Sequence, residues 1–374
     1  MSRTEAIVQA RRIVVKIGSA LLTDAGLGLS HDRINAIAAD IDKLKAMGKD
    51  LVVVSSGAVA EGCNRLGWRQ RPETVHELQA AAAVGQMGLV EAWEQALRQF
   101  GCGTAIIMLT HDDVADRERY LNARATMTQL LNLGIVPVIN ENDTVATEEI
   151  RFGDNDTLAA LVANLIEGDL LVVLTDVAGV LSADPSEDPE ARLIEYGTAG
   201  DPSLERRAGA GGGALGRGGM ISKLRAAELA ARSGAHTVIA DGKEQAVLSR
   251  IVQGEAVGTF LEAQVSPMTA RKRWIAGHLR AKGSLVVDSG AAQALTDQGV
   301  SLLAVGVTGV QGQFERGDVV RILASDGQQV AQGLCNYASR DVLRLMGKKS
   351  EEFADHIASV GEPELVHRDN LAIL

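Results

Sequence analysis

Cysteines, aromatic residues and long hydrophobic runs are all scarce in this chain, and each shortage argues against a class of protein. The three cysteines, Cys63, Cys102 and Cys335, lie far apart with no CxxC pair, which argues against a disulfide framework or a zinc site and fits a reducing compartment. Aromatic residues make up only 3%, so we expect no stacking platform for nucleic-acid bases. The absence of any run of 18 apolar residues argues against a transmembrane helix.

The chain also lacks an excess of positive charge. It has 37 Lys+Arg against 48 Asp+Glu, a net charge of −11, and an isoelectric point near 5.2. An acidic chain repels nucleic-acid phosphate, so we expect no primary DNA-binding role. An anionic ligand would need a local pocket of basic side chains and backbone amides. The first 18 residues carry charges where a signal peptide has its apolar core, and we therefore expect a cytoplasmic protein.

What the chain does have is the composition of an ordinary globular protein, 46% apolar and 23% charged over 374 residues. Short apolar runs rich in Val and Ile alternate with helix-length segments through the first two thirds, which predicts a parallel α/β sheet covered on both faces. The predicted strands are residues 13–17, 50–55, 104–109, 135–139, 170–174 and 236–240. The predicted helices are residues 32–47, 73–100, 117–133, 156–166 and 220–233. Ligands of such sheets bind beyond the carboxyl ends of the strands, where we expect the functional residues.

Near residue 265 the pattern changes to one that predicts a small β-rich second domain. A Ser-Pro pair and a basic stretch precede short strand patterns with Gly-Asp and Asp-Gly turns. These strands are predicted at residues 284–288, 302–308, 319–323 and 330–334. Residues 267–374 contain 12 Lys+Arg and 12 Asp+Glu, so this part is neutral. The predicted division is a first domain over 1–265, a linker over 266–276, a second domain over 277–360 and a tail over 361–374.

Three strand ends in the first domain carry residues that could bind a ligand or take part in catalysis. The segment VVKIGSA (14–20) places Lys16 at the end of the first strand, where an ammonium group and open amides suit phosphate; a surface lysine is the alternative. The segment SSGAVAEG (55–62) leaves amides free at a helix N-terminus, although tight helix–sheet packing would also require small residues. Thr175 and Asp176 could contact a ribose or base, or form a turn.

Seven polar residues surround the end of the fourth predicted strand. Carboxylates and amides in such number can bind an ammonium group or organise lysines. Asp156 also lies where a helix N-cap is expected, but capping would explain only one residue of the cluster. The cluster consists of Asn140, Glu141, Asn142, Asp143, Asp154, Asn155 and Asp156.

A glycine-rich segment then runs into a helix with Lys223 in its first turn. Gly211, Gly213 and Gly216 match G-x-G-x-x-G, but no strand precedes them and no Gly-Lys-Ser/Thr follows, so neither a dinucleotide fingerprint nor a Walker A loop is indicated. The amides and Lys223 could hold transferring phosphates; a flexible surface loop is the alternative. Histidine spacing and the lack of G-x-S-x-G give no support for a metalloenzyme or serine hydrolase. The combination points to a phosphoryl-transfer site without a P-loop.

Five segments together resemble the glutamate 5-kinases of the amino acid kinase family. INENDTVA (139–146) followed by GDNDTLAA (153–160) is the specific pair. From about Gly277 the β-rich tail resembles the PUA domain that many bacterial members append. The five segments are VVKIGSA, SSGAVAEG, residues 121–160, LTDVAGVLSADP (174–185) and GRGGMISK (216–223).

The resemblance implies a three-layer parallel-sheet kinase domain that phosphorylates the γ-carboxylate of L-glutamate with ATP, the first step of proline biosynthesis. Lys16 and Lys223 would stabilise the transferring phosphoryl group, and Asp156 would hold both lysines. Mg²⁺ would bridge the phosphates without a dense set of protein ligands. L-Proline as feedback inhibitor and a dimer or tetramer are further expectations. Glutamate would be bound by Ser56, Asp143, which would pair with its ammonium group, and Asn155. ATP would be contacted by Lys16, Thr175, Asp176, Arg217, Gly218, Gly219, Met220, Ile221, Ser222 and Lys223.

The chain departs from the family pattern at Arg217, which replaces a small hydroxyl residue in the glycine loop. Arg217 could add a phosphate contact or face solvent. Another amino acid kinase, for acetylglutamate or aspartate, is the alternative enzyme, and the PUA-like tail and the motif pair argue against it. The tail could instead indicate an RNA-binding or RNA-modifying protein; its neutral charge and the lack of a pseudouridylation-type catalytic domain argue against that.

Overall fold

The computed structural model describes residues 2–23, 28–145, 155–183, 188, 190–209, 219–264, 281–357 and 361–373. The chain divides into two compact units, one over Met1–Asp116 and Asn122–Pro267, the other over Arg117–Leu121 and Met268–Leu374. In the described part of the chain, no helix combines the length and hydrophobicity needed to cross a membrane.

The first part of the chain alternates strands and helices, as the hydrophobic pattern predicts. Its strands are β1 (Arg12–Ile17), β2 (Asp50–Val54), β3 (Thr104–Leu109), β4 (Val136–Glu141), β5 (Leu170–Thr175), β6 (Tyr196–Thr198), β7 (His236–Asp241) and β8 (Thr259–Glu262). Its helices are α1 (Arg3–Gln9), α2 (Ser19–Leu22), α3 (His31–Ala46), α4 (Ala58–Arg65), α5 (Val75–Arg98), α6 (His111–Ala115), α7 (Arg117–Asn132), α8 (Asn155–Leu165), α9 (Pro202–Gly209), α10 (Met220–Ala231) and α11 (Val247–Val252).

The eight strands form one sheet in the order β3-β4-β2-β1-β5-β7-β8-β6. The six strands that the sequence predicts are all present and pair in parallel, which confirms the predicted α/β class. The prediction misses β6 and β8, which are only three and four residues long, and β8 pairs antiparallel with β7. The parallel direction therefore holds through β7 and reverses at that edge of the sheet.

Alternation along β1 sends neighbouring side chains to opposite faces of the sheet. Ile13, Val15 and Ile17 are buried in the large core cluster, which also contains Trp93 of α5. Lys16 points to the other face, where its ammonium group reaches Asp156 at the start of α8. The central strand thus contributes core residues on one side and a charged group on the other.

Two glycines let α4 and α5 approach backbone to backbone. A Cβ atom at Gly62 would overlap the backbone of Ala81, and one at Gly85 would overlap the carbonyl oxygen of Ala58. These glycines allow α5 to lie directly against the helix that follows β2. Side chains of α5 are therefore brought close to the carboxyl end of β2.

The second unit has its own five-stranded sheet and its own hydrophobic core. The predicted β-rich class is confirmed, but the strand predicted at 302–308 is wrong. Ala304–Gly306 form a 3₁₀ turn that buries Ala304, and the strand begins only at Val307. The sheet has the order β10-β9-β11-β12-β13, with β9 (Gly283–Val287), β10 (Val307–Gly312), β11 (Val319–Leu323), β12 (Gln329–Leu334) and β13 (Leu371–Ile373). Its helices, which the sequence did not predict, are Ser289–Gln298, Ser339–Leu345 and Phe353–His356.

Candidate active site

The carboxyl ends of four neighbouring strands bring the predicted site residues to one edge of the sheet. The strands β4, β2, β1 and β5 are adjacent and parallel, so their carboxyl ends lie side by side. Lys16 lies one residue before the end of β1, Ser56 follows β2, and Thr175 ends β5. The crevice beyond this edge is where an α/β sheet of this kind binds its ligand.

Asp156 joins the two predicted lysines in one buried cluster. Its carboxylate forms an ion pair with Lys16 through Oδ1, and Oδ2 lies 3.2 Å from Nζ of Lys223. The exposed fractions are 1% for Asp156, 5% for Lys16 and 8% for Lys223. The helix α8 already begins at Asn155, so Asp156 lies inside its first turn. The capping alternative is therefore wrong for Asp156, whose carboxylate is directed at the lysines.

The electrostatics of this cluster favour the ionised carboxylate. Burial alone raises the pKa of Asp156, but the ammonium groups of Lys16 and Lys223 outweigh it, and hydrogen bonds from Lys16 and Ser222 add to their effect. The net result is a pKa of Asp156 below its ordinary value. Two buried cations balanced by one anion leave a local charge of +1. Such a site attracts an anionic ligand despite the acidity of the whole chain.

The start of α10 contributes further polar contacts to the cluster of Lys16, Asp156 and Lys223. Oγ of Ser222 lies 2.8 Å from Oδ2 of Asp156 and 3.0 Å from the carbonyl oxygen of Gly219, and its single proton is shared between these two acceptors. Lys223 donates to the same carbonyl oxygen at 3.4 Å. Within the described residues, no side chain caps the N-terminus of α10. Lys223 lies in the first turn of this helix, and an ammonium group close to an uncapped helix N-terminus suits phosphate oxygens.

Asn155 organises a second, uncharged part of the site. Its side-chain Nδ2 lies 2.7 Å from the carbonyl oxygen of Ser55, 3.1 Å from Oγ of Ser56 and 3.1 Å from Oδ1 of Asn140, so its two protons are shared among three acceptors. All four residues are buried. The backbone of Ser55 is itself fixed, because its amide donates to Ile139 of β4 at 2.8 Å. The ends of β2 and β4 and the start of α8 are thus connected through a single amide group.

The turn after Ser56 requires glycine. Gly57 has a φ of 109° and precedes α4, whose N-terminus has no side-chain cap. A Cβ atom at Gly57 would lie 3.0 Å from Leu29, and the backbone conformation would be strained in any case. The conformation turns the chain from β2 directly into α4 beside Ser56. Both interpretations of SSGAVAEG therefore apply, since the segment packs tightly and also presents a helix N-terminus.

The remaining predicted residues are distributed around this edge. Thr175 is buried and donates to Oδ1 of Asp176 at 3.2 Å, while Asp176 is exposed. Asp143 is half-buried in the turn after β4. Gly219, Met220 and Ile221 are half-buried at the start of α10. Arg217, Gly218, Asp154 and the glycines of the G-x-G-x-x-G match lie outside the described residues.

The side chains of the described residues suit a cation that is bound to substrate phosphates better than one that is bound by protein ligands alone. Among the described residues, no group of three or more His, Cys, Asp or Glu side chains is placed to hold a metal ion. Asp156, which lies between Lys16 and Lys223, is already paired with both lysines. Mg²⁺ usually binds through one or two carboxylates, water and substrate phosphates. It therefore fits this site as a companion of a nucleotide.

Sequence reasoning missed three residues that support the site. Trp93 of α5 donates through Nε1 to Oγ of Ser55 at 2.9 Å, and Gln86 of α5 accepts through Oε1 from Nδ2 of Asn140 at 2.8 Å. Ser55 itself carries the carbonyl group that Asn155 binds. The only signal for Ser55 is its place beside Ser56. Gln86 and Trp93 lie in a long amphipathic helix, where nothing in the local pattern distinguishes them.

Known proteins match this chain in two comparisons, one with solved structures and one with protein sequences. Two solved structures each match 68% of this chain at 17% identity. One is a UMP kinase from Bacillus anthracis, of which 97% is covered, with a TM-score of 0.47. The other is a carbamate kinase from Giardia lamblia bound to AMP-PNP, of which 99% is covered, with a TM-score of 0.49. A glutamate 5-kinase from Nitrosospira multiformis is 56% identical over 366 residues, covering 98% of each chain. One from Bordetella pertussis is 54% identical over 372 residues, covering 100% of this chain and 98% of its own.

Family profiles agree with the two-part fold. The profile of the amino acid kinase family matches residues 11–241, and that of the PUA domain matches residues 283–357. The resemblance carried by the motifs is therefore confirmed over nearly the full chain. The chain belongs to the amino acid kinase family, in its glutamate 5-kinase branch, with a PUA domain after the kinase domain.

Proposed function

We propose that this chain transfers the γ-phosphoryl group of ATP to the γ-carboxylate of L-glutamate, giving L-glutamyl 5-phosphate and ADP. The observation that carries the proposal is the buried cluster of Lys16, Asp156 and Lys223, with its local charge of +1 at the ligand-binding edge of the sheet. The relatives named glutamate 5-kinase support the choice of substrate. The product belongs to the first step of proline biosynthesis.

The chemistry needs charge neutralisation more than acid–base catalysis. A γ-carboxylate with a pKa of about 4.3 is already ionised at neutral pH, so no base has to remove a proton. One carboxylate oxygen forms a bond to the γ-phosphorus, and the bond from that phosphorus to the β,γ-bridging oxygen breaks as ADP leaves. The main obstacle is repulsion between two anions. Lys16 and Lys223 offset it, and Asp156 keeps both ammonium groups in place.

Glutamate is assigned to the part of the edge formed by β2, β4 and α8. Ser56 offers its hydroxyl group, the N-terminus of α4 offers amides to a carboxylate, and Asn155 offers its side-chain oxygen. Asp143 is assigned to the substrate ammonium group, because a half-buried carboxylate after β4 has the opposite charge. Lys16 in β1 lies between this part and the nucleotide part.

ATP is assigned to the part formed by β5 and α10. Thr175 and Asp176 would contact the nucleoside, and the residues from 217 to 223 would hold the phosphates together with Lys16. Mg²⁺ would enter bound to the phosphates and supply further charge neutralisation. The uncapped start of α10 and the Nζ atom of Lys223 support this assignment.

Regulation and assembly complete the proposal. L-Proline would inhibit at or near the glutamate pocket, since its carboxylate and ammonium groups match those of glutamate. The chain would act in the cytoplasm as a dimer or tetramer. Large exposed apolar side chains on α5 and on the sheet-edge strand β3 support self-association. These are Val84 and Met87 on α5 and Ile106 and Met108 on β3.

The proposal is tested by measuring ATP- and Mg²⁺-dependent phosphorylation with the acyl phosphate trapped as a hydroxamate. L-Glutamate, N-acetylglutamate and L-aspartate are compared as acceptors, with and without L-proline. We expect turnover with glutamate alone and inhibition by proline. Turnover with another acceptor alone would support a kinase site but contradict glutamate as its substrate. No turnover with any of the three acceptors would contradict the proposal as a whole.

A further inference from the structure

A chain of side-chain amides runs from helix α5 to the predicted glutamate pocket. Gln86 of α5 accepts a hydrogen bond through Oε1 from Nδ2 of Asn140 at 2.8 Å, and Oδ1 of Asn140 accepts from Nδ2 of Asn155 at 3.1 Å. The same Nδ2 atom reaches Ser55 and Ser56. Three amides from three elements are therefore connected in series, ending on two residues of the site.

The orientation of every amide in this series follows from one backbone carbonyl. The carbonyl oxygen of Ser55 can only accept, so the amide of Asn155 must present its NH₂ group there. Oδ1 of Asn140 must then face Asn155, which leaves Nδ2 of Asn140 facing α5. The oxygen of Gln86 supplies the acceptor that this arrangement needs. Without it, the buried NH₂ group of Asn140 would lose this partner, and the orientation of Asn140 would depend on its bond with Asn155 alone within the series.

A second bond from α5 fixes the other end of the series. Nε1 of Trp93 donates to Oγ of Ser55 at 2.9 Å, and both residues are fully buried. The hydroxyl group of Ser55 in turn donates to the carbonyl oxygen of Ser56 at 3.2 Å. Helix α5 therefore holds the Ser55–Ser56 segment at one end and Asn140 at the other, with Asn155 between them.

We infer that Gln86 is a positioning residue for glutamate binding, acting through Asn140 on Asn155. This inference rests on the proposed function, because it takes Asn155 and Ser56 to be part of the glutamate pocket. Gln86 is distinct from the lysine cluster, which Asp156 and Ser222 position. Loss of its acceptor should therefore weaken glutamate binding without weakening ATP binding.

The test compares Gln86→Met in two backgrounds. Methionine has a similar length but a far weaker acceptor. In the otherwise unchanged chain we expect Gln86→Met to raise the KM for glutamate about tenfold and to leave the KM for ATP within about twofold. In an Asn140→Ala background we expect the same substitution to have less than about a twofold effect, because residues acting in series are not additive. Gln86→Ala serves the same test if Gln86→Met does not fold.

The control is Gln95→Met, the same substitution at an exposed position of the same helix; it should change neither KM. An unchanged glutamate KM in Gln86→Met, an equal rise in the ATP KM, or a full effect in the Asn140→Ala background would each overturn the inference. Asn155→Ala shows whether a negative result concerns only the role of Gln86 or the assignment of the glutamate pocket itself. If Asn155→Ala leaves the glutamate KM unchanged, the pocket assignment is wrong; if it raises that KM while Gln86→Met does not, only the role of Gln86 is wrong.

Discussion

Asp156 shows how one buried carboxylate can organise two distant parts of the chain. It lies in the first turn of α8 and contacts Lys16 of β1 and Lys223 of α10. The sequence identified all three residues from their places at strand ends and helix starts. Their mutual contact could not be read from local patterns, because it depends on how α8 and α10 pack on the same face of the sheet.

The support around Asn155 was even less visible in the sequence. Gln86 and Trp93 lie 54 and 38 residues from their partners Asn140 and Ser55. Periodicity places both on a helix but does not say which polar groups meet. A buried polar group needs a partner somewhere, yet the choice of partner is decided by tertiary packing alone.

The lowered pKa of Asp156 predicts a specific dependence of stability on pH. Because the folded pKa lies below the unfolded value of about 3.9, Asp156 contributes its full stabilisation above that value and loses it as the pH falls through the folded pKa. Asp156→Asn removes this contribution and leaves two buried ammonium groups uncompensated. We expect a loss of about 3 kcal/mol or more in the free energy of unfolding at pH 7.

Chemical denaturation at several pH values between 7 and 3 checks this expectation. The gap in unfolding free energy between the unsubstituted chain and Asp156→Asn should narrow toward pH 3. Asp176→Asn, an exposed carboxylate at the same edge, is the matched control and should show little gap. A gap for Asp156→Asn that stays constant over the whole range would contradict the assigned ionisation.

At the scale of elements, the pairing of α4 with α5 determines where the site residues lie. Gly62 and Gly85 let the two helix backbones touch, and α5 then reaches both Ser55 and Asn140. The sequence predicted α5 from its length and periodicity, whereas for α4, which has only eight residues, it indicated a helix N-terminus at SSGAVAEG but not the bounds of the helix. Short elements such as α4, β6 and β8 contain too few residues for a periodic pattern to be recognised.

We expect Gly85→Ala to disturb this pairing. Its Cβ would overlap the carbonyl oxygen of Ala58 and the backbone nitrogen of Gly62, so one helix must move. Overpacking of this kind costs about 1–3 kcal/mol. Because Ala58 belongs to the first turn of α4, the KM for glutamate should also rise. Thermal unfolding and steady-state kinetics measure the two effects.

Gly103→Ala provides the control for that substitution. A Cβ atom there would meet only Cγ1 of Ile135, at an ordinary 3.5 Å. It should therefore leave the glutamate KM unchanged. If Gly85→Ala left the stability and the glutamate KM as unchanged as Gly103→Ala does, the close approach of α4 and α5 would not be needed to position the glutamate-binding residues.

At the scale of the whole molecule, the two units differ in charge as well as in fold. All of the net charge of −11 lies in residues 1–266, since residues 267–374 contain 12 Lys+Arg and 12 Asp+Glu. Each unit has its own core cluster. The predicted site residues all lie in the first 223 residues. The class of each unit was predictable because strand spacing and turn residues differ between them, whereas the 3₁₀ turn at Ala304–Gly306 was hidden in an apolar run.

Removal of residues 267–374 should therefore leave catalysis largely intact. We expect kcat and both KM values of the shortened chain to stay within about threefold of those of the full chain. Circular dichroism and size-exclusion chromatography establish that the shortened chain is folded. A soluble, folded but inactive product would show that the second unit contributes to the reaction.

The most direct test of the proposed phosphoryl-transfer site is steady-state kinetics of Lys16→Ala and Lys223→Ala, with the exposed Lys43→Ala as the matched control. If both lysines neutralise charge that develops during transfer, each substitution should lower kcat by about 100-fold or more and change the glutamate KM by less than about threefold. Lys43→Ala should change neither. An unchanged kcat with a raised KM in the two site variants would contradict a role in phosphoryl transfer and reduce the cluster to a binding site.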